Sequence, residues 1–210
     1  MELIRKQHFV INLDRRPERL VEAKEELKKI GIDDVNRFKA IENEIGLIGC
    51  GMSHKRCIEL AIENDWNFVA IFEDDVIFPN PEKCTELIDK YMNYHFDVLF
   101  LGCQVLDGYM AGDDIIRVKK AYCLHGYIVR SHYYRKFLIN LQNGLQIKKK
   151  NIRHHDGNCD VYINELIKED RLYCLSPCQA SQRDGYSDNF LRWSSQKDNI
   201  FCPKLKNNCK

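Results

Sequence analysis

Phe68-Val69-Ala70-Ile71-Phe72-Glu73-Asp74-Asp75 sets five apolar residues in a row directly against three carboxylates. An apolar run without alternation marks a strand covered on both faces, as in sheets flanked by helices. The strand therefore belongs to an α/β fold, and it delivers the carboxylates at its end.

Working outward, residues 8–13 form an earlier apolar strand, and Pro17 stands where a first helical turn tolerates it. Leu20, Ala23, Leu27 and Ile30 then share a helical face until Gly31 stops the run. Ser53 has the chemistry to cap a helix carrying Cys57, Ile58, Ala61 and Ile62 and ending near Asn64. Beyond the acidic triplet, Asn80-Pro81-Glu82 opens a helix, and residues 96–101 form a strand closed by Gly102. A strand over 122–129 with a break at Gly126 leads into a helix from Ser131, bearing Tyr134, Phe137, Leu138 and Leu141 and ending at Asn143-Gly144. Lys148-Lys149-Lys150 reads as a loop, Asp160 as the start of a last helix, and 172–175 as an edge strand. The tail from Ser181 is polar and aperiodic, and residues 195–210 are expected to be irregular. Alternating short apolar runs and amphipathic stretches predict a mostly parallel central sheet flanked by helices.

The chain has 210 residues, 44% of them hydrophobic and 30% charged, with 32 basic side chains against 31 acidic ones. That length suits a single domain, 1–210. The composition excludes disorder, and the charge balance excludes a general polyanion surface, so no nucleic acid partner is expected. The N-terminal apolar run is too short for an export signal, and no run approaches the roughly 20 residues of a membrane span. A cytoplasmic protein is the expectation. Ten cysteines without CxxC spacing then read as reduced, mostly structural thiols; Cys174-Leu175-Ser176-Pro177-Cys178 alone is a poor zinc signal.

Consecutive carboxylates after a buried strand raise one another's pKa unless a positive charge compensates. A divalent cation is the natural compensation; a solvated acidic strand end is the bland alternative. On an extended backbone Glu73 and Asp75 point to one side and Asp74 to the other, so two of the three can converge on one ion, or on an ion and a ribose. Oxygen ligands with open positions for a diphosphate suit Mn²⁺ or Mg²⁺. A phosphoryl-transfer enzyme would use similar carboxylates, but the chain has neither a GxxxxGK[ST] nor a GxGxxG loop.

Four segments add specificity: Phe9-Val10-Ile11-Asn12-Leu13-Asp14-Arg15-Arg16-Pro17-Glu18-Arg19; Gly46-Leu47-Ile48-Gly49-Cys50-Gly51-Met52-Ser53-His54 with Ile71-Phe72-Glu73-Asp74-Asp75; Asp97-Val98-Leu99-Phe100-Leu101-Gly102; and residues 121–138. In this order they resemble glycosyltransferase family 25, which includes bacterial lipooligosaccharide galactosyltransferases and procollagen galactosyltransferases. Weaker matches fall at Asp160-Val161-Tyr162 and Tyr186-Ser187-Asp188. The family often has Glu where this chain has Leu47, so any hydrogen bond of that carboxylate is absent or supplied elsewhere.

The resemblance implies a GT-A-like nucleotide-sugar-binding fold and inverting transfer of galactose or glucose from a UDP-hexose, with Mn²⁺ or Mg²⁺ as cofactor. The acceptor it implies is a hydroxyl of a glycan or of hydroxylysine in a collagen-like polypeptide. A non-catalytic sugar-binding module derived from a transferase is the rival reading. Glu73 and Asp75 are the expected metal ligands. Asn12, Arg15, Arg16, Arg19, Ser53, His54, Asp74, His125 and Asp188 are the candidate donor-binding residues. The three arginines follow the first strand, where open α/β sheets bind ligands. For Ser53 a cap, and for both histidines a packed imidazole, are the structural alternatives. Asp160 is the expected base, with Asp156 as the alternative; an aspartate there also suits an N-cap. His154-His155-Asp156 is no metal motif, because adjacent histidines diverge.

Overall fold

The computed structural model describes residues 4–187 and 192–194. His8–Asn12 (β1) leads to Pro17–Lys29 (α1), then Arg37–Lys39 (β2), Gly46–Glu63 (α2) and Phe68–Glu73 (β3). Val76–Ile77 (β4) and Pro81–Met92 (α3) precede two long strands, Val98–Gly112 (β5) and Ile115–Arg130 (β6). Tyr134–Lys150 (α4), Cys159–Tyr162 (α5), Asn164–Ile167 (α6) and Leu172–Leu175 (β7) follow. Ser181–Gln182 (β8), Gly185–Ser187 (β9) and Arg192–Ser194 (β10) complete the described elements.

The central sheet has six strands in the order β2-β1-β3-β6-β5-β7. β6 runs antiparallel to its neighbours β3 and β5, and the other pairings along that order are parallel, so five strands share one direction. The fold is α/β with a mostly parallel sheet, as the sequence predicts. β3 explains why. Val69 and Ile71 pack with Cys57, Ile58 and Ala61 of α2 and Phe137 and Leu141 of α4. Phe68, Ala70 and Phe72 face the other way, toward Ala23 and Leu27 of α1 and Leu87 and Ile88 of α3. Both faces are dry, and truncating a buried ring such as Phe72 should cost about 3–5 kcal/mol.

Several expectations are corrected, and most turn on glycine. β5 passes through Gly102, where a Cβ would lie 1.8 Å from the Ala180 carbonyl oxygen; the glycine admits a close backbone approach and does not end the strand. β6 likewise continues through Gly126. α4 runs past Gly144 to Lys150 because the missing side chain makes room for Tyr162, whose Cβ would stand 3.1 Å from a Cβ there. The basic run is thus the last helical turn, with Lys148 buried and its Nζ donating to the His154 carbonyl. The last helix is two short pieces, α5 and α6. Ser53 does not cap α2, which begins at Gly46. Residues 195–210 lie outside the described residues. Among the described residues no helix is long and apolar enough to cross a membrane.

Candidate active site at the strand ends

The carboxyl ends of β1 and β3 open into a cleft of about 280 Å³. Its walls come from the first turns of α1 and α2, the 40–43 loop, the start of α5, the turn after β3, Cys123 and Leu124 of β6, and the segment from Gln182 of β8 through β9. This is the edge at which open α/β sheets bind ligands.

Asp74 and Asp75 lie in the turn after β3 and not on the extended strand expected from the sequence, and Arg19 Nη1 stands 3.2 Å from Asp74 and 3.9 Å from Asp75. Asn12 Nδ2 donates to Asp74 Oδ2 at 2.8 Å. Glu73 and Asp75 are joined by one amide: Gln182 Nε2 lies 3.1 Å from Glu73 Oε2 and 3.5 Å from Asp75 Oδ1. The register of β4 against β8, with Val76 opposite Gln182, puts that amide there. His54 Nε2 lies 3.2 Å from Glu73 Oε1, and its Nδ1 stands 2.9 Å from Tyr127 Oη.

The charges are unevenly compensated. Burial opposes ionisation of Glu73, but His54 outweighs it and holds the carboxyl below its ordinary value. Burial likewise opposes charge on His54, yet its contacts with Cys50 and Glu73 raise it to about 10. Asp74 is raised by burial, which Asn12 and Arg19 only partly offset. Asp75 is pushed up to about 7 by burial and by the charges of Glu73 and Asp74. Asp160 lines the same cleft and is also raised, by burial first and then by Glu73. Beside it Cys123 holds a left-handed backbone, φ 74°, at the cleft wall. Non-glycine residues in that region cluster at functional sites.

Thus Arg15, Arg19, Ser53, Glu73, Asp74, Asp75 and Asp160 meet in one cleft. Other candidates are placed differently. Asn12 is buried behind Asp74, where it also accepts from Arg37 Nε at 3.0 Å. Arg16 bonds Glu18 at 2.7 Å and lies outside the cleft lining. Ser53 faces the cleft, but its Oγ donates to the Gly49 carbonyl and accepts from Ile41 N–H, each at 2.8 Å. It is a latch for the 41–43 loop, an intrahelical serine bonding back to the preceding turn. His54 is fully buried behind the lining and reaches the cleft only through Glu73. His125 is buried too, with Nε2 3.3 Å from the Ala180 carbonyl oxygen, and burial lowers its pKa. Asp156 projects into solvent, 72% exposed, paired to His154 and away from the cleft. Asp188 lies outside the described residues.

Sequence reasoning missed Gln182, Tyr127 and the convergence of Cys50 with Cys159. Nothing local marks Gln182. The tyrosine preceding the Ser131 helix was visible in the resembling segment, but its pairing with His54 spans 73 residues.

A mostly parallel α/β sheet whose strand ends gather arginines and carboxylates into one cleft defines a ligand-binding enzyme fold of the doubly wound kind. The model of glycosyltransferase family 25 (LPS biosynthesis protein) matches residues 44–168. The chain belongs to this family and is a glycosyltransferase. The matched stretch holds the acidic triplet and Asp160, whereas Arg15, Arg19 and Gln182 lie outside it. No curated protein matches the chain in sequence. Among solved structures it is similar to A197 from STIV, at 17% identity and TM-score 0.49, covering 96% of this chain and 98% of that one. It is also similar to the glycosyltransferase GlyE of Streptococcus pneumoniae TIGR4, at 12% identity and TM-score 0.47 over 81% of this chain and 45% of that one. A third is mannose-1-phosphate geranyltransferase from Thermus thermophilus, at 8% identity and TM-score 0.47 over 80% of this chain and 73% of that one.

Proposed function

We propose that this glycosyltransferase moves a hexose, galactose or glucose, from a UDP-sugar to a hydroxyl of a glycan or hydroxylysine acceptor with inversion. The supporting observation is one cleft whose lining brings Glu73 and Asp75, joined by one amide, together with Asp160, Arg15 and Arg19. The donor set fits a hard divalent cation: two carboxylates converge on the same amide, and one of them, Asp75, has its pKa pushed up to about 7 by burial and by the charges of Glu73 and Asp74, which Arg19 only partly offsets. Glu73 and Asp75 would hold Mn²⁺ or Mg²⁺, which when bound neutralises the diphosphate leaving group.

In this reading Arg15 meets the donor phosphates, and Arg19, already on Asp74, sets the carboxylate geometry. Asp160 takes the proton from the acceptor hydroxyl as its oxygen attacks the anomeric carbon and the bond to the diphosphate breaks. Its raised pKa moves it toward the operating pH, which favours a general base. His54 acts as a positioning residue for Glu73. Asp156, out in solvent, is set aside as the alternative base.

Thermal stabilisation by UDP-galactose and UDP-glucose, with and without Mn²⁺, tests this, because a bound donor raises stability by mass action. Metal-dependent stabilisation together with slow UDP-sugar hydrolysis is the expected result. Stabilisation without any turnover would leave a binding module instead, and no stabilisation by either sugar would overturn the donor assignment.

A further inference from the structure

In the cleft wall, Cys50 Sγ and Cys159 Sγ stand 3.9 Å apart. Cys50 Sγ is 4.0 Å from Glu73 Oε1, and His54 Nε2 is 3.2 Å from the same oxygen. Ligand atoms of Cys50, His54 and Cys159 all lie within 4.8 Å of one another. With Zn–S near 2.3 Å and Zn–N or Zn–O near 2.0–2.1 Å, neighbouring ligands of a tetrahedral zinc stand about 3.8 Å (S···S), 3.6 Å (S···O) and 3.4 Å (N···O) apart. The Cys50–Cys159 separation matches the sulfur pair of such an ion, and the three ligand atoms of Cys50, His54 and Cys159 lie close enough together to share one.

The surroundings also suit an ion. Cys50 and His54 are four residues apart on one face of α2, Glu73 ends β3, and Cys159 opens α5, so three elements converge on one point. Tyr127, fully buried, holds His54 Nδ1 and leaves Nε2 to face the sulfurs and the carboxylate. A metal-bound imidazole ordinarily has its other nitrogen fixed in this way. A second close thiol pair, Cys174 and Cys178 at 3.9 Å, lacks this setting: its bonds go to the backbone carbonyls of Leu175 and Cys103.

We propose that Cys50, Cys159 and His54 form a binding site for a borderline divalent cation of the zinc type, separate in donor chemistry from the oxygen site in the cleft. Glu73 stands between the two, with Oε1 near Cys50 and His54 and Oε2 on Gln182. A bound ion displaces the protons of both thiols to solvent, together with the proton on His54 Nε2, and fastens α2 to α5 beside the end of β3. It thereby fixes the residue before Asp160.

The test uses the full chain, reduced and stripped with a chelator, titrated with Co²⁺ as the probe and then with Zn²⁺. The expected result is one Co²⁺ per chain with the visible bands and sulfur-to-cobalt charge transfer of tetrahedral thiolate coordination, displaced by Zn²⁺. Cys50→Ala and Cys159→Ala should each abolish the charge-transfer band and weaken Co²⁺ binding by roughly 100-fold or more. Cys178→Ala should leave both unchanged, and thermal melts of the metal-free variants check folding. Asp75→Asn should keep the cobalt spectrum, which separates this site from the proposed transferase metal. No thiolate spectrum from the unaltered protein, or one that survives both Cys50→Ala and Cys159→Ala, overturns the proposal.

Discussion

Two carboxylate sites at opposite ends of one sheet have been treated in opposite ways. Asp97 precedes β5, at the amino ends of the parallel strands, whereas Glu73-Asp74-Asp75 ends β3 at the carboxyl side. Asp97 is 6% exposed and saturated: His132 Nε2 and Arg171 Nη2 each reach Oδ1 at 2.8 Å, and the Arg171 backbone N–H reaches Oδ2 at 2.8 Å. Burial opposes its charge, but these partners hold its pKa down at about 2. At the other end three acids share Arg19, Asn12, Gln182 and His54, and Asp75 rises to about 7. One end is closed electrostatically and serves stability. The other carries uncompensated negative charge, which a cationic ligand would relieve.

The strongest way to break this contrast is Asp75→Asn. Turnover with Mn²⁺ should fall by roughly 10³-fold, as expected when a main electrostatic group is removed. Stability should move the other way. A carboxyl whose folded pKa exceeds its unfolded value binds more protons when folded, so its contribution falls as pH rises from about 4 through about 7. Above pH 7, and without added metal, Asp75→Asn should therefore melt higher than the unaltered protein, by an amount on the order of 1 kcal/mol. Melting curves from pH 5 to 9 check this. A variant that melts lower at every pH would mean that Asp75 is structural, like Asp97.

Next in size is Asp160→Asn. Turnover should drop roughly 10²-fold with donor affinity little changed, since proton abstraction belongs to the transition state. Asp156→Asn, in solvent, should do neither. If Asp160→Asn lowers only the melting temperature, its carboxylate, at the start of α5, merely holds the Cys123 backbone.

How far these regions could be read in advance depends on how far apart their parts lie in the chain. The run from Phe68 to Asp75 carries its own evidence: the strand and its burial on both faces follow from eight residues, whereas the turn that holds Asp74 and Asp75 does not. Asp97 reads as a residue within the strand 96–101, whereas β5 begins at Val98 and Asp97 binds Arg171 from 74 residues away. Gln182 reaches Glu73 across 109 residues, and Cys159 reaches Cys50 across the same separation. Periodicity holds no trace of such contacts. Glycine was misread at Gly102, Gly126 and Gly144 because the sequence cannot tell a residue that ends an element from one that admits a neighbour. The Ser53 misreading has the same origin, since a hydroxyl that caps and one that latches a distant loop look alike until Ile41 is seen beside it.

At the closed end the predicted effects concern stability. Asp97→Asn should cost about 2 kcal/mol at pH 7 and leave turnover close to normal. The sign follows from a depressed pKa: the stabilisation is fully present above about pH 4 and is lost as pH falls toward 2. Denaturant unfolding at pH 7 and pH 3 should therefore show the two proteins converging in acid. A constant gap would place the cost in packing and not in charge.

The smallest effect sharpens the contrast most, because it asks whether Asp97 is compensated with redundancy. His132 is about half exposed, and its imidazole shares Asp97 with Arg171, which contributes a side-chain bond to each oxygen as well as its backbone N–H. An exposed partner of a carboxylate that keeps its other partners should be worth about 0.5–1 kcal/mol. His132→Ala is accordingly expected to lower the melting temperature by about 1–4 °C, given the usual conversion for a chain of this size. Arg171→Ala should cost more, since it removes the bonds to both oxygens from the side-chain fork. If instead His132→Ala destabilises as much as Asp97→Asn, the imidazole carries the compensation alone. Asp97 would then rest on a single charged partner, and redundancy would no longer distinguish it from the carboxylates at the other end of the sheet.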